Sequence, residues 1–259
     1  MTHKTAVVSP KAEIGSNVEI GPYSIIDDNV KIGDNSVIGP HVYISGFTKI
    51  GSNCKIHKSA NIGDAPQDIS YTGFKAYTEI GNNTVVREYA TIHRGSKPDA
   101  VTKIGENCML MAFSHVAHDC QIGDRVVIAN NSQIAGHVEI SDKAIISGGV
   151  YIHQFCKIGT MCMIGGTAKI NQDVPPFCLV DHESFITTLN AVGMKRNGIS
   201  SEERLAIKKA FKQIFYSEKR RSEAVEEMLK ECAGKTSAEL FINFIKNSKR
   251  GIQHVLPRD

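Results

Sequence analysis

Four of the ten histidines in this 259-residue chain, His115, His118, His137 and His153, fall in one short stretch between positions 115 and 153. A histidine titrating near neutrality can take a proton from a hydroxyl, and a carboxylate beside it, here Asp119, can fix its tautomer. His118, Gly136 and Gln154 are equally spaced along the chain. A glycine among such groups can present its backbone N–H to an oxygen that develops negative charge. The set therefore reads as a base (His118), a supporting carboxylate (Asp119) and an oxyanion donor (Gly136). Taken singly, each has a plainer reading: a corner histidine or amide is solvated or bonds a turn carbonyl, and Gly136 is a turn glycine. His115 and His118, three apart, also raise zinc, which neutral imidazoles bind. In an extended corner that spacing lacks the one-face geometry a helix gives, and no third ligand is evident, so no metal is assigned. No GxSxG elbow occurs and no cysteine stands in a nucleophile arrangement with the cluster. A direct reaction assisted by a general base is simpler than one through a covalent intermediate.

The element that would hold these residues is set by a repeat. Stepping by six from Val8 to Ile170 meets an aliphatic residue at 25 of 28 positions. Neither the 3.6-residue period of an α-helix nor the two-residue period of a strand selects one position in six. A hexapeptide parallel β-helix does: three hexads make one coil, and the aliphatic residue points inward and stacks on its counterpart three hexads later. Gly follows the aliphatic residue in eleven hexads, and Asn stands three after it at 17, 29, 35, 53, 83, 107 and 131, as corners with positive φ require. Cys54, Cys108, Cys120, Cys156 and Cys162 stand four after it, at inward positions, and read as buried filler. Residues one coil apart then stack at about 4.8 Å, the ladder spacing. His118, Gly136 and Gln154, each three hexads from the next, thus become one column, flanked by Asp119, His137 and His153.

The frame breaks at about 65–79 and 93–103, read as projecting loops, and after Ile170 the run NQDVPP ends the hexads because prolines cannot donate to a ladder. Residues 1–172 form the repeat domain and 173–259 a smaller helical one of three or four helices. Ser200 with Glu203 and Thr236 with Glu239 have capping-box spacing. Leu205, Ile207, Phe211, Ile214 and Phe215 share one helical face, as do Phe241, Phe244 and Ile245.

Charge excludes some classes. There are 15 Lys and Arg against 15 Asp and Glu in residues 1–172, and 15 against 12 in 173–259, so the net +3 lies in the tail. That is too weak for a nucleic-acid binder but suits an acidic protein partner. Lys208, Lys209, Lys212, Lys219, Arg220 and Arg221 supply such a surface, or are solvated helix faces. There is no secretory h-region and no long apolar span, so a cytoplasmic protein without stable membrane insertion is expected. Seven cysteines form no CxxC pair, which indicates neither a disulfide framework nor a zinc ribbon.

The segments HVAHDC (115–120), IAGHV (134–138), HQFCKIG (153–159) and NQDVPP (171–176), with APQDISYTG, TIHRGSK and GMKRNGIS, resemble the UDP-N-acetylglucosamine acyltransferase family over nearly the whole chain. The resemblance implies a left-handed β-helix assembled as a homotrimer with active sites between subunits. It implies transfer of an R-3-hydroxyacyl chain from acyl carrier protein to the 3-position of UDP-N-acetylglucosamine, the first step of lipid A biosynthesis. No cofactor is implied, because the acyl group arrives on the carrier's phosphopantetheine. His118 matches the family's general base, Asp119 its support and Gly136 its oxyanion donor. Asp68, His115, His137, His153 and Gln154 match sugar-nucleotide or acyl-chain contacts. Asn190 and Arg196 match tail contacts to nucleotide or phosphopantetheine phosphate, and Gly166 the position that limits acyl length. Ser70 and Asn197 stand where the family often has Lys and Arg. Lys169 is unusual beside an apolar groove and reads either as a residue that reshapes it or as a snorkelling surface lysine.

Three rivals stand beside this reading. One is a hexapeptide acyltransferase with an acyl-CoA donor, another a carbonic anhydrase-like trimer with bound zinc, and the third a scaffold whose polar column has no chemistry. An acyltransferase acting on an already acylated sugar is expected to carry a further N-terminal domain, whereas here the hexads begin by residue 8.

Overall fold

A computed structural model describes residues 1–257. The hexads are strands of two residues, such as Glu19–Ile20, Ile25–Ile26 and Lys31–Ile32, in which the second residue is buried and the first exposed. Three such strands close one coil, and the coils stack as a left-handed parallel β-helix with faces of nine, eight and ten strands. The hand departs from the usual right-handed crossover. Register is aliphatic on aliphatic throughout: Ile26 pairs with Ile44, Ile44 with Ile62 and Val116 with Ile134. Each fully buried isoleucine contributes about 1.5–3 kcal/mol.

The corners behave as their residue types require. Asn17, Asn29, Asn35, Asn53, Asn83, Asn107 and Asn131 all have φ between 56° and 63°. The five repeat cysteines are at most 2% exposed, and each donates its thiol to a backbone carbonyl.

The two loops are insertions between paired strands. Ile50 pairs with Ile80 and Ile62 with Ile92, five hexads apart rather than three, so the first loop lengthens its coil by two hexads. Ile80 pairs with Ile104 and Ile92 with Val116, four hexads apart, so the second adds one. Both additions are whole hexads, which keeps every column in phase.

Strand pairing runs on beyond Ile170. Cys178–Val180 continues the ten-stranded face beside Met163–Ile164, and Ile186–Leu189 turns back antiparallel on it. Four helices follow, α1 (Ala191–Arg196), α2 (Ser201–Tyr216), α3 (Arg221–Glu231) and α4 (Thr236–Asn247), with Phe211 and Phe241 buried where α2 meets α4. Ser200 caps α2 as its spacing predicts, accepting the Glu203 N–H at 3.2 Å. The second expected capping box does not form. Lys235 occupies the N-cap of α4, Thr236 is already helical, and Glu239 reaches back to the Gly234 N–H at 2.8 Å. Leu205 also departs from its expected place: it is 67% exposed while Ile207, Phe211 and Ile214 are buried. The chain then returns to the β-helix, where Ile252 bridges Asp173 and Val255 bridges Ile186.

The faces differ outside. The eight-stranded one presents Lys31, Lys49, Glu79, Lys103, Gln121, Glu139 and Lys157, whereas the ten-stranded one, charged at Glu19 and Lys55, otherwise presents Val37, Val85, Met109, Val127, Ile145 and Met163. No helix among the described residues is long and apolar enough to cross a membrane.

Candidate active site

Because coils stack in register, residues one coil apart in sequence meet in space. His118 lies directly over Gly136: a Cβ at Gly136 would stand 2.6 Å from His118 Cε1 and 2.7 Å from Nε2. Only glycine lets the ring settle there without displacement. The Gly136 N–H donates to no described group. With His115, Gln133, Tyr151, His153, Gln154 and Lys169, these residues line a groove of about 700 Å³.

His118 Nδ1 lies 2.7 Å from Asp119 Oδ2, and both side chains are nearly buried, 13% and 10% exposed. Asp119 occupies a corner at φ 60°, its N–H bonded to Thr102 Oγ1 at 2.8 Å. Its carboxylate accepts Ser96 Oγ–H at 2.7 Å and the Ser96 N–H at 3.2 Å. Burial is the largest influence on Asp119 and pushes its pKa up, but the bonds from Ser96 and His118 outweigh it, so the carboxyl stays below its ordinary range. An ionised carboxylate only accepts, so His118 Nδ1 carries the proton and Nε2 keeps its lone pair. That is the tautomer a general base needs.

His137 packs edge-on to His118 at 5.1 Å and stacks on Phe155 at 4.6 Å, with its Nε2 3.6 Å from Asp119 Oδ2. Burial lowers its pKa, and Asp119 partly counters this. His115 sits one strand away, its Nδ1 2.7 Å from Thr91 Oγ1 and its ring edge-on to His93 at 4.8 Å. Burial, with His93 and His118 beside it, pushes His115 down to about 4, so it is neutral near pH 7. Asp68 is half-buried on the first loop, accepting Ser70 N–H at 2.8 Å and Oγ–H at 2.7 Å, bonds that lower its pKa. Its neighbour Gln67 lines the groove. His118, Asp119 and His137 place three potential metal-ligand atoms within 4.8 Å of one another, a different trio from the His115–His118 pair that spacing suggested.

The structure thus brings His115, His118, Asp119, Gly136, His137, His153 and Gln154 together. It does not bring Asn190 and Arg196 to this groove within one chain. Asn190 caps α1, accepting the Gly193 N–H at 2.9 Å and donating to Met161 O at 2.9 Å. Gly166 stands at the next corner beyond the groove, where an added methyl would meet only Gly148 O at 3.3 Å. Lys169 lines the far end of the groove.

Sequence reasoning passed over Ser96, Thr102, Thr91 and His93. Their only signal was position: Thr91 to Ser96 lie in TIHRGSK, at the second break in the repeat, where loops carry function. His93 is 7% exposed and its Nδ1 has no partner among the described residues. The basic tail divides. Lys209, Lys219 and Arg220 pair with Glu231, Glu227 and Glu223. Arg204, Lys208 and Lys212 instead line a hollow of about 430 Å³ with Leu189, Met194, Leu205 and Phe211.

Comparison with known proteins agrees along the chain. Residues 173–253 match the family described as UDP-N-acetylglucosamine O-acyltransferase, domain 2, and residues 11–46 and 102–136 match the bacterial transferase hexapeptide repeat. The chain is 41% identical to an acyl-(acyl-carrier-protein):UDP-N-acetylglucosamine O-acyltransferase of Herminiimonas arsenicoxydans, over 97% of this chain and 98% of that one. It is 49% identical to a protein of the same description from a Sulfurihydrogenibium species, over 96% and 93%. The solved structure of Francisella novicida UDP-N-acetylglucosamine acyltransferase superposes with a TM-score of 0.93 at 37% identity, covering 100% of this chain and 95% of that one.

Proposed function

The chain belongs to the UDP-N-acetylglucosamine O-acyltransferase family, and from that footing we propose how it works. It transfers an R-3-hydroxyacyl chain from acyl carrier protein to the 3-position of UDP-N-acetylglucosamine, the first step of lipid A biosynthesis. The observation that carries the mechanism is the His118 ring, anchored through Nδ1 on Asp119 and lying against Gly136.

His118 Nε2 takes the proton of the sugar's 3-hydroxyl as its oxygen attacks the thioester carbonyl. The carbonyl oxygen gains the charge and accepts the unused Gly136 N–H. The tetrahedral intermediate collapses with loss of the C–S bond, and His118 returns the proton to the leaving thiolate. Asp119 stabilises the imidazolium between these transfers, held by Ser96. Neutral His115 adds no second positive charge to the groove. The enzyme needs no cofactor of its own.

His137, His153, Gln154 and Asp68 bind the sugar nucleotide around this centre. The acyl chain lies along the outer face toward Tyr151, Lys169 and Gly166, where glycine leaves room. The apolar ten-stranded face supports a homotrimer, because burying Val37, Ile145 and Met163 between subunits removes area that water solvates poorly. Asn190 and Arg196 then serve a neighbouring subunit's groove, and the basic, apolar-floored hollow on α2 receives the acidic carrier. Seven free, buried cysteines suit a reducing cytoplasm.

The test is transfer to UDP-N-acetylglucosamine from 3-hydroxyacyl carrier proteins of graded length, with His118→Ala alongside. We expect transfer by the wild type and a loss of roughly several hundredfold in the variant, in line with removal of a general base. No transfer from any donor to the 3-hydroxyl or to a 3-amino acceptor would sink the assignment.

A further inference from the structure

The segment returning from α4 carries Arg250 to the wall of the groove. Its Nε donates to Asn171 O at 2.8 Å and its Nη2 lies 2.8 Å from His153 Nδ1. Asn171 and His153 line the groove together with His118. The strap is anchored independently of Arg250. Ser248 Oγ donates to Asp173 Oδ2 at 2.7 Å, and Gln253, 3% exposed, accepts the N–H groups of Asn171 and Gln172 at 3.3 and 3.2 Å and donates to Ser184 O at 2.7 Å. Gly251, at φ +85°, makes the bend beside Arg250.

A guanidinium has donors only, so His153 Nδ1 must offer it a lone pair. Nδ1 also lies 3.2 Å from the Gln154 carbonyl, which only accepts and would need a proton on the same nitrogen. The two bonds exclude each other, and the shorter, charge-assisted one prevails. The proton of neutral His153 therefore sits on Nε2. This is the opposite tautomer from His118, so the groove holds one imidazole built to take a proton and one built to donate a hydrogen bond.

We infer that Arg250 is a positioning residue that fixes His153 as an Nε2–H donor to an oxygen of the sugar nucleotide, which couples substrate binding to the seating of the C-terminal strap. This rests on reading the groove as the sugar-nucleotide site. The experiment follows the ring nitrogens of ¹⁵N-histidine-labelled protein, with His153 assigned by its loss in His153→Asn, for wild type, Arg250→Met and Arg250→Lys. The wild type should show a pyridine-like Nδ1 and a pyrrole-like Nε2. Arg250→Met should lose that preference, and Arg250→Lys should keep it in part. KM for UDP-N-acetylglucosamine should rise about tenfold in Arg250→Met with kcat nearly unchanged, the size of one lost charge-assisted bond. His153→Asn with Arg250→Met should bind no worse than His153→Asn alone. Amide shifts of Gly251 and Gln253 report whether the strap stays seated. A wild-type Nδ1–H, or an Arg250→Met protein with a seated strap and an unchanged tautomer, would overturn the inference whatever the turnover. A changed tautomer with unchanged KM would instead overturn the reading of the groove.

Discussion

Replacing Gly136 by alanine tests the stacked geometry without touching an ionisable group. The backbone there is not in the left-handed region, so alanine adopts it freely, and the N–H remains. The added methyl, however, would stand 2.6 Å from His118 Cε1, against 3.4 Å for ordinary contact. The ring must withdraw by the difference, and since Asp119 holds Nδ1 it can do so only by tilting Nε2 away from the reacting hydroxyl. A misplacement near 1 Å at a reacting centre costs about 100-fold, whereas overpacking one methyl at a partly open site costs about 1–3 kcal/mol of stability. Steady-state kcat/KM for wild type, Gly136→Ala, His118→Ala and the double variant, with thermal melts of each, separates these effects. Once the ring is gone the methyl has room, so the double variant should match His118→Ala. A folded Gly136→Ala protein that retains a third or more of wild-type kcat/KM would refute the argument.

Three further outcomes follow from the same geometry. Burial holds His115 near 4 against about 6.5 when unfolded, so below pH 6.5 the unfolded chain gains protons that the native one refuses. Stability should therefore fall as pH drops from about 6.5 toward 4, by up to about 3 kcal/mol from this residue. Urea titrations across that range should show the fall, and His115→Asn should flatten part of it. Exhaustive dialysis against a chelator should leave the transfer rate unchanged, and a rate restored only by zinc would return the His118, Asp119 and His137 trio to the role of ligands. Asn190→Ala removes the cap of α1 and should lower the melting temperature by an amount equivalent to about 1 kcal/mol, read by calorimetry.

The periodicity made much of this protein legible before any coordinates. One residue per column per coil meant that His118 over Gly136, the positive-φ asparagines and the inward cysteines could all be placed by counting. What counting missed came from outside the columns. Ser96 reaches Asp119 from the second insertion; each insertion is a whole number of hexads, so the frame resumes in phase, and its break marks a loop without saying what that loop contacts. Arg250 arrives from far beyond His153 in the chain, on a strap with no periodic signal. Thr236 failed as a cap because Lys235 took the boundary, a choice between neighbours that spacing alone does not decide. Leu205 stands two residues before Ile207, which at the helical period puts it on the opposite side from Ile207, Phe211 and Ile214, so it faces outward.

The antiparallel turn at Ile186–Leu189 has a consequence for the molecule's fate in concentrated solution. A stack of parallel coils ends in strand edges whose free N–H and C=O groups are a template for the next coil, whichever chain supplies it. Laying a reversed strand across one of those edges, and bridging it with Val255, replaces a growing end with a mismatched one. The tail therefore acts as a terminator, keeping a fold that shares its geometry with fibrils from elongating into one.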